Sequence, residues 1–222
     1  MMDLVFPKQN ENEFIKIAEQ LNIKNLCFVY PLKEFDKIEK IKNSKITLYF
    51  GTILKPNELR KLKKPAELVV VKDSNKNRKV LESKGIDVLF DLENHKRKDF
   101  IHHRNSGLNQ VLCNLANKNK IIIGFNFNSV LKSEPVQCST ILGRMMQNVR
   151  LCRKYKIDMI TASFATSPYE MRSLHDLRAF ARLIGMQPGE ANNSVKILHE
   201  RIQKNKRKQS PGYVAEGLEI IK

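Results

Sequence analysis

Two stretches of the chain concentrate the residue types that do chemistry. Asp91–Gly107 reads DLENHKRKDFIHHRNSG and holds three of the five histidines, His95, His102 and His103, beside Lys96, Arg97, Lys98 and Arg104. Ser163–Asp176 reads SFATSPYEMRSLHD and adds Arg172, His175 and Asp176. Imidazole and carboxylate groups gathered on one face are the donor set of a metal-dependent hydrolase, in which a bound ion activates water. Cations beside a helix start suit a different chemistry. Asn105-Ser106-Gly107 puts a capping residue and a glycine ahead of Leu108, and the free N–H groups of a helix start favour an anion such as an RNA phosphate. Arg104 would make a two-pronged contact there, with His102 or His103 hydrogen-bonding the same group. The plainer alternative is an ordinary capped helix start in a solvated loop. Nucleophilic catalysis has no support, because the GxSxG turn that exposes a serine nucleophile is absent. Asp91 and Glu93 form a carboxylate pair of a kind common in loops.

The elements that position these residues alternate in type. Continuous apolar runs at Asp3–Phe6, Leu26–Tyr30, Ile46–Phe50, Leu68–Val71, Val88–Leu92, Ile121–Phe127 and Met159–Ala162 predict strands covered on both faces. Between them run helical patterns. Phe14, Ile15, Ala18 and Leu21 line one; Leu108, Val111, Leu112 and Leu115 a second; Met171, Leu174, Leu177, Phe180, Ala181 and Ile184 a third, ending near Gly185. A longer amphipathic helix carries Ile141, Leu142, Met145, Val149 and Cys152 on one stripe. Arg144, Gln147, Asn148, Arg150, Arg153 and Lys154 fall mostly on the rest of its surface, and Pro135 suits its first turn.

Repeated strand–helix units imply a parallel sheet with right-handed crossovers. Seven strands are clear, and an eighth, around Gly185–Pro188, would be very short. No GxGxxG or P-loop favours an open nucleotide-binding sheet. The chain therefore predicts an α/β fold, a TIM-like (β/α) barrel in a single domain over residues 1–203, with a basic tail over 204–222 that contains most of the run RIQKNKRK. A short strand-like end follows at Leu218–Ile221. Barrels work at the carboxyl ends of their strands, where both chemistry-bearing stretches fall. The related barrel of the polymerase and histidinol phosphatase superfamily binds metal through an HxH pair closing its first strand. Asp3-Leu4-Val5-Phe6 stands there instead, and the next three strands end in Tyr30, Ile53 and Lys72. No catalytic residue and no metal or cofactor bound by this chain are expected.

Charge narrows the partner. Forty Lys and Arg against 23 Asp and Glu leave a net charge of +17 in 222 residues, and such a surplus calls for a polyanion nearby. An anionic membrane is the rival, but the amphipathic faces are needed for a core, no apolar run approaches the roughly 20 residues of a membrane span, and MMDLVFPKQN lacks the features of a signal peptide. A soluble, cytoplasmic protein is expected. The four cysteines, Cys27, Cys113, Cys138 and Cys152, sit far apart in apolar contexts and read as reduced, buried thiols. With no tryptophan and few aromatics near the basic runs, base stacking on single strands is a poorer fit than contact with the phosphates and 2′-hydroxyls of a folded RNA.

The order of residues resembles the ribonuclease P protein component 3 family, a barrel subunit of the archaeal and eukaryotic ribonucleoprotein that trims the 5′ ends of precursor tRNA. DFIHHRNSGLNQVLCNLA (Asp99–Ala116), IIIGFNFNSVL (Ile121–Leu131), ILGRMMQNVRLCRKYKIDMITAS (Ile141–Ser163) and RSLHDLRAFARLIG (Arg172–Gly185) carry the resemblance. The ending SPGYVAEGLEII looks like the family's tail. Ser163-Phe164-Ala165 stands where the family often has a serine–glycine–alanine turn. The resemblance implies a non-catalytic role: binding ribonuclease P RNA, directly or through protein component 2, within a holoenzyme of further protein subunits whose substrate is precursor tRNA. There the RNA carries the chemistry, with magnesium. RNA-binding candidates are Arg97, His102, His103, Arg104, Lys118, Arg144, Lys154 and Arg172. A metal-dependent phosphoesterase on the related barrel, and an RNA-associated scaffold of another ribonucleoprotein, are the alternatives.

Overall fold

The structure, a computed structural model, describes residues 1–35, 41, 43, 45–58, 66–210, 213–215 and 218–219. Its elements follow the chain as β1 (Asp3–Val5), α1 (Glu11–Gln20), β2 (Asn25–Pro31), α2 (Leu32–Phe35), β3 (Thr47–Leu54), β4 (Leu68–Lys72), α3 (Asn77–Glu82), β5 (Val88–Phe90), α4 (Gln110–Lys118), β6 (Ile122–Asn126), α5 (Phe127–Leu131), α6 (Pro135–Lys154), β7 (Met159–Ala162), α7 (Leu174–Leu183), α8 (Pro188–Ser194), α9 (Ile197–Lys208), β8 (Tyr213–Ala215) and β9 (Leu218–Glu219). The seven strands β1 to β7 are parallel and pair in sequence order. Leu68 and Val70 pack inside the resulting cylinder with Leu4, Cys27, Val29, Val88, Phe90, Ile122 and Ile160. Their neighbours Val69 and Val71 face out against helices with Leu89, Ile123, Met145 and Val149. Both strand faces are thus covered, which is why the strands read as unbroken apolar runs.

The seam between β1 and β7 closes the barrel with few backbone bonds. Val5 bridges Ala165, and the Phe6 N–H donates to the Ala165 carbonyl at 2.8 Å. Asp3 supplies the rest. Its Oδ1 accepts the Ser163 N–H at 2.7 Å and its Oδ2 accepts the Ser163 hydroxyl at 2.6 Å. Burial nevertheless pushes the Asp3 carboxyl up to about 6, against the lowering effect of those bonds. The expected eighth strand at Gly185–Pro188 is not formed. Gly185 takes φ +96° and Pro188 already opens α8, so a left-handed turn and a residue without an N–H leave no room for a ladder. α8 and α9 occupy that place in the circuit, and the Met2 N–H bonds to the Val195 carbonyl at 3.0 Å.

α9 runs through position 204, where the basic tail was expected to begin. β8 and β9 then form a small antiparallel hairpin. It overlaps the expected strand-like end at Leu218–Ile221, whose last residues lie outside the described ones. The four cysteines are free thiols, three buried and Cys138 half-buried. Among the described residues no helix is long and apolar enough to cross a membrane.

Candidate nucleic-acid interface

The loop after β5 is built by a helix distant in sequence. Arg144, Gln147 and Asn148 stand three and four residues apart on α6, the spacing that puts side chains on one helix face. All three point into the loop. The Arg144 guanidinium donates to the carbonyls of Glu93 (3.0 Å), His95 (3.0 Å) and Arg97 (2.6 Å) and pairs with Asp99 Oδ1 at 2.7 Å. Gln147 accepts the Arg104 N–H at 3.1 Å and donates to the Arg104 carbonyl at 2.9 Å and the Ser106 hydroxyl at 2.8 Å. Asn148 donates to Glu93 Oε1 at 2.6 Å and to the Ser106 carbonyl at 2.8 Å. The rest of this surface of α6 is the apolar stripe Ile141, Met145, Val149 and Cys152, so the loop is bonded straight to the barrel wall.

Burial decides the ionisation of this network. Glu93 is 1% exposed, and desolvation lifts its carboxyl to about 8 although the Asn148 bond favours the anion. His95 is pushed down by burial and by the nearby charges of Arg144 and Arg97, so its neutral ring is favoured. Asp99 goes the other way. Burial opposes its charge, but hydrogen bonds from Arg144 and the Asn105 N–H, with the Arg144 and Arg104 charges, outweigh it and hold the carboxyl below its usual value. A buried guanidinium with one paired carboxylate and three carbonyls is the compensated arrangement that interior charge requires.

With its backbone bonded inward, the loop turns its cations outward. Lys96, Arg97, Lys98, His102, His103 and Arg104 are exposed. Arg97, His103 and Arg104 line one cleft of about 580 Å³ together with Phe100. Phe100 stacks on His103 with ring centroids 4.6 Å apart and 27° between planes. Ile101 at the loop tip is 96% exposed. The expected helix start lies further on. Asn109 is the cap, accepting the Leu112 N–H at 2.9 Å, and α4 begins at Gln110. Asn105 and Ser106 serve the loop instead. Gly107 turns the chain back at φ +83°, where a Cβ would stand 2.6 Å from the Leu92 carbonyl oxygen. The position of this helix start is therefore corrected from Asn105–Gly107 to Asn109, whose side chain already satisfies one of its free N–H groups, that of Leu112.

The candidate residues divide into three groups. Arg97, His102, His103 and Arg104 are displayed together on the loop. Arg144, expected on the solvated side of its helix, is 3% exposed and belongs to the scaffold beneath; as a direct RNA contact it is corrected, because its donors are consumed inside the fold. Arg172 is half-buried, donates to the Tyr169 and Met171 carbonyls at 3.1 and 2.8 Å, and lies over the Phe127 ring. Lys118 and Lys154 are exposed in the last turns of α4 and α6, which lead into β6 and β7 at the opposite end of the barrel. Sequence reasoning missed the structural roles of Gln147, Asn148 and Glu93. The signal was three polar residues at helical spacing directly beside the apolar stripe. It also missed Phe100, whose stacking depends on a loop conformation that no pattern encodes. Among the described residues, no group of three His, Cys, Asp or Glu side chains is placed to hold a metal ion.

Fold and loop define a (β/α) barrel with a cationic rim at the carboxyl ends of its strands, held rigid by one buried arginine. The chain belongs to the RNase P subunit p30 family, which it matches over residues 1–210. It is 34% identical over 145 residues to the ribonuclease P protein component 3 of Methanosarcina mazei, covering 65% of this chain and 57% of that relative. The Methanosarcina barkeri protein of the same name is 31% identical over 163 residues, covering 72% and 64%. The matched stretches thus span less than two thirds of these relatives. A chain in a solved structure of archaeal ribonuclease P with mature tRNA shares the fold, with a TM-score of 0.83 over 100% of this chain and 98% of that one at 19% identity.

Proposed function

We propose that the chain is a non-catalytic protein subunit of ribonuclease P, the ribonucleoprotein that generates mature tRNA 5′ ends by cutting precursor tRNA. On this reading it acts in the cytoplasm with ribonuclease P RNA, protein component 2 and the other protein subunits. The RNA and its magnesium carry out the cleavage, and the barrel braces the RNA fold. The observation that carries the reading is the loop of residues 91–107. Family membership supports ribonuclease P as the particle, and the loop offers it a set of cations on a fixed backbone. Arg97, His103 and Arg104 converge on one cleft, while Arg144 ties down the loop backbone at His95 and Arg97. A displayed, pre-ordered cationic surface suits the phosphates of a structured RNA, since little side-chain and loop entropy remains to be lost on binding.

Reconstitution with the cognate RNA and protein subunits tests this. Adding the chain is expected to raise the rate of precursor-tRNA cleavage or lower its magnesium requirement, and binding is expected to weaken steeply with salt. A particle that assembles and cleaves identically without the chain would reject the assignment.

A further inference from the structure

The mouth of the barrel holds a second cleft, beside the loop and lined in part by its first residues, Asp91 and Asn94. It encloses about 380 Å³ at the carboxyl ends of the strands, between Phe6, Lys72, Asn126, Asn128, Lys132 and Thr166, a volume in the range of small-ligand sites. Two non-glycine residues in the left-handed region face it, Asp91 at φ 65° and Phe164 at φ 49°. For a bulky aromatic residue this conformation is an outlier, and such strain collects at sites with a use.

The Phe164 conformation has a visible consequence. Its ring stacks on Phe90, centroids 4.6 Å apart and planes at 14°. Gly124 makes the space, since a Cβ there would stand 3.0 Å from the Phe164 ring. Phe6 packs beside both rings at 5.8 and 6.2 Å, its plane tilted by 27° and 29°, and is only half-buried. The cleft therefore has an aromatic floor whose accessible ring is Phe6, backed by the buried Phe90 and Phe164. Its walls are amides and hydroxyls, and the Oδ1 of Asn128, a residue 5% exposed, has no hydrogen-bond partner among the described residues. At the rim, Lys72 and Lys132 are each ion-paired on one side, to Asp91 at 2.9 Å and Glu170 at 2.7 Å, with side chains 59% and 52% exposed. Each ammonium carries further donors.

The geometry points to a nucleotide site at the barrel mouth. The base stacks on Phe6, its amino group satisfies the open acceptor of Asn128, and its phosphate meets Lys72 and Lys132. A base with an exocyclic amine, adenine, cytosine or guanine, fits better than uracil. The unit recognised is one 5′-phosphorylated nucleotide, whether free or at the end of an RNA strand. The site uses none of the exposed loop cations and stands apart from the RNA-bracing role.

Calorimetric titration of the full chain with AMP, CMP, UMP and a short 5′-phosphorylated oligoadenylate tests the inference. Saturable binding is expected, with AMP or CMP tighter than UMP. Phe6→Leu, which keeps an apolar side chain and removes the flat ring, is expected to weaken binding at least about fivefold, the lower end of the measured worth of one base stacked on an aromatic ring. Lys132→Ala is expected to weaken it several-fold, and because its side chain is half-exposed the fold should survive. If the monophosphate binds and the oligoadenylate does not, the natural ligand is free nucleotide; if the oligoadenylate displaces it, the ligand is an RNA end. No binding of any probe at millimolar concentration, or equal binding by the parent and both variants, would overturn the site.

Discussion

At the carboxyl ends of the strands, cations stand outside a loop whose polar groups are already bonded inward. At the amino ends, the cations and amides of α9 are themselves the bonds. Arg201 donates to the Lys120 carbonyl at 2.5 Å and pairs with Asp87 at 3.5 Å. Asn205 donates to the Glu67 carbonyl and to Asp87 at 3.0 Å each, Lys206 pairs with Glu67 at 3.2 Å, and Gln209 reaches the Ala66 carbonyl at 3.0 Å. These partners precede β4, β5 and β6, so α9 fastens the lower rim of the barrel. In α9 Arg201 and Lys206 are spent on the fold while Arg207 and Lys208 are exposed; in the upper loop most of the cations are displayed. The contrast teaches that a surplus of positive charge measures attraction to polyanions, whereas availability depends on which donors the fold has already used.

The largest effect should come from the residue that makes the upper rim what it is. Arg144→Ala leaves three loop carbonyls without their donor and strips Asp99 of its shortest ion pair, leaving it the Asn105 N–H and Arg104; each buried acceptor left unsatisfied costs ~1–3 kcal/mol. Thermal denaturation should show that loss, and hydrogen exchange should show residues 93–107 losing protection ahead of the rest. Arg144→Lys should recover little, because a single ammonium cannot reproduce the fork that spans three carbonyls and a carboxylate. If the loop stays ordered in Arg144→Ala, the upper rim does not owe its order to α6, and the contrast between the two rims fails.

A pH series sharpens the same point. Glu93 has a folded value of about 8 against an ordinary value of 4.5. Between those values the unfolded chain releases a proton that the folded chain keeps. The folded state then binds more protons, so this group's contribution to stability is full below about 4.5 and declines as pH rises towards 8. Glu93→Gln, which resembles the protonated acid and keeps an acceptor for Asn148, should flatten that decline. Denaturant midpoints for both proteins from pH 4.5 to 8.5 decide it, and parallel curves would show that Glu93 is not held as the acid.

Much of this architecture was legible in the sequence. The seven apolar runs specified seven parallel strands because each had to be buried on both faces, and Pro135 did open the longest helix. The missing eighth strand was less legible, since Gly185 and Pro188 are compatible with a short strand until helices fill the gap. The site was half legible. The loop cations announced themselves by type, but Arg144 read as one more surface charge. Its burial depends on where the loop backbone aims its carbonyls, a three-dimensional property that helical periodicity does not contain. The reverse held for Arg201 and Lys206 of α9, which looked free until Asp87 and Glu67 met them from just ahead of distant strands.

The smallest effects separate the rims most cleanly, because each variant should move one observable and spare the other. Arg201→Ala removes a largely buried side chain, 17% exposed, from Asp87 and the Lys120 carbonyl, and should cost ~1–2 kcal/mol of stability, the usual range for hydrogen bonds involving a charged group. The salt dependence of RNA binding should stay unchanged. Arg97→Ala removes an exposed side chain whose backbone carbonyl still bonds to Arg144, so stability should stay within ~0.5 kcal/mol of the parent. Its mark should appear in the slope of log K against log salt, shallower by ~0.7–0.9 for one lost phosphate contact. Denaturation and salt titration on the two variants suffice. Exchange of the two signatures would mean that the lower rim faces the RNA and the upper rim holds the barrel.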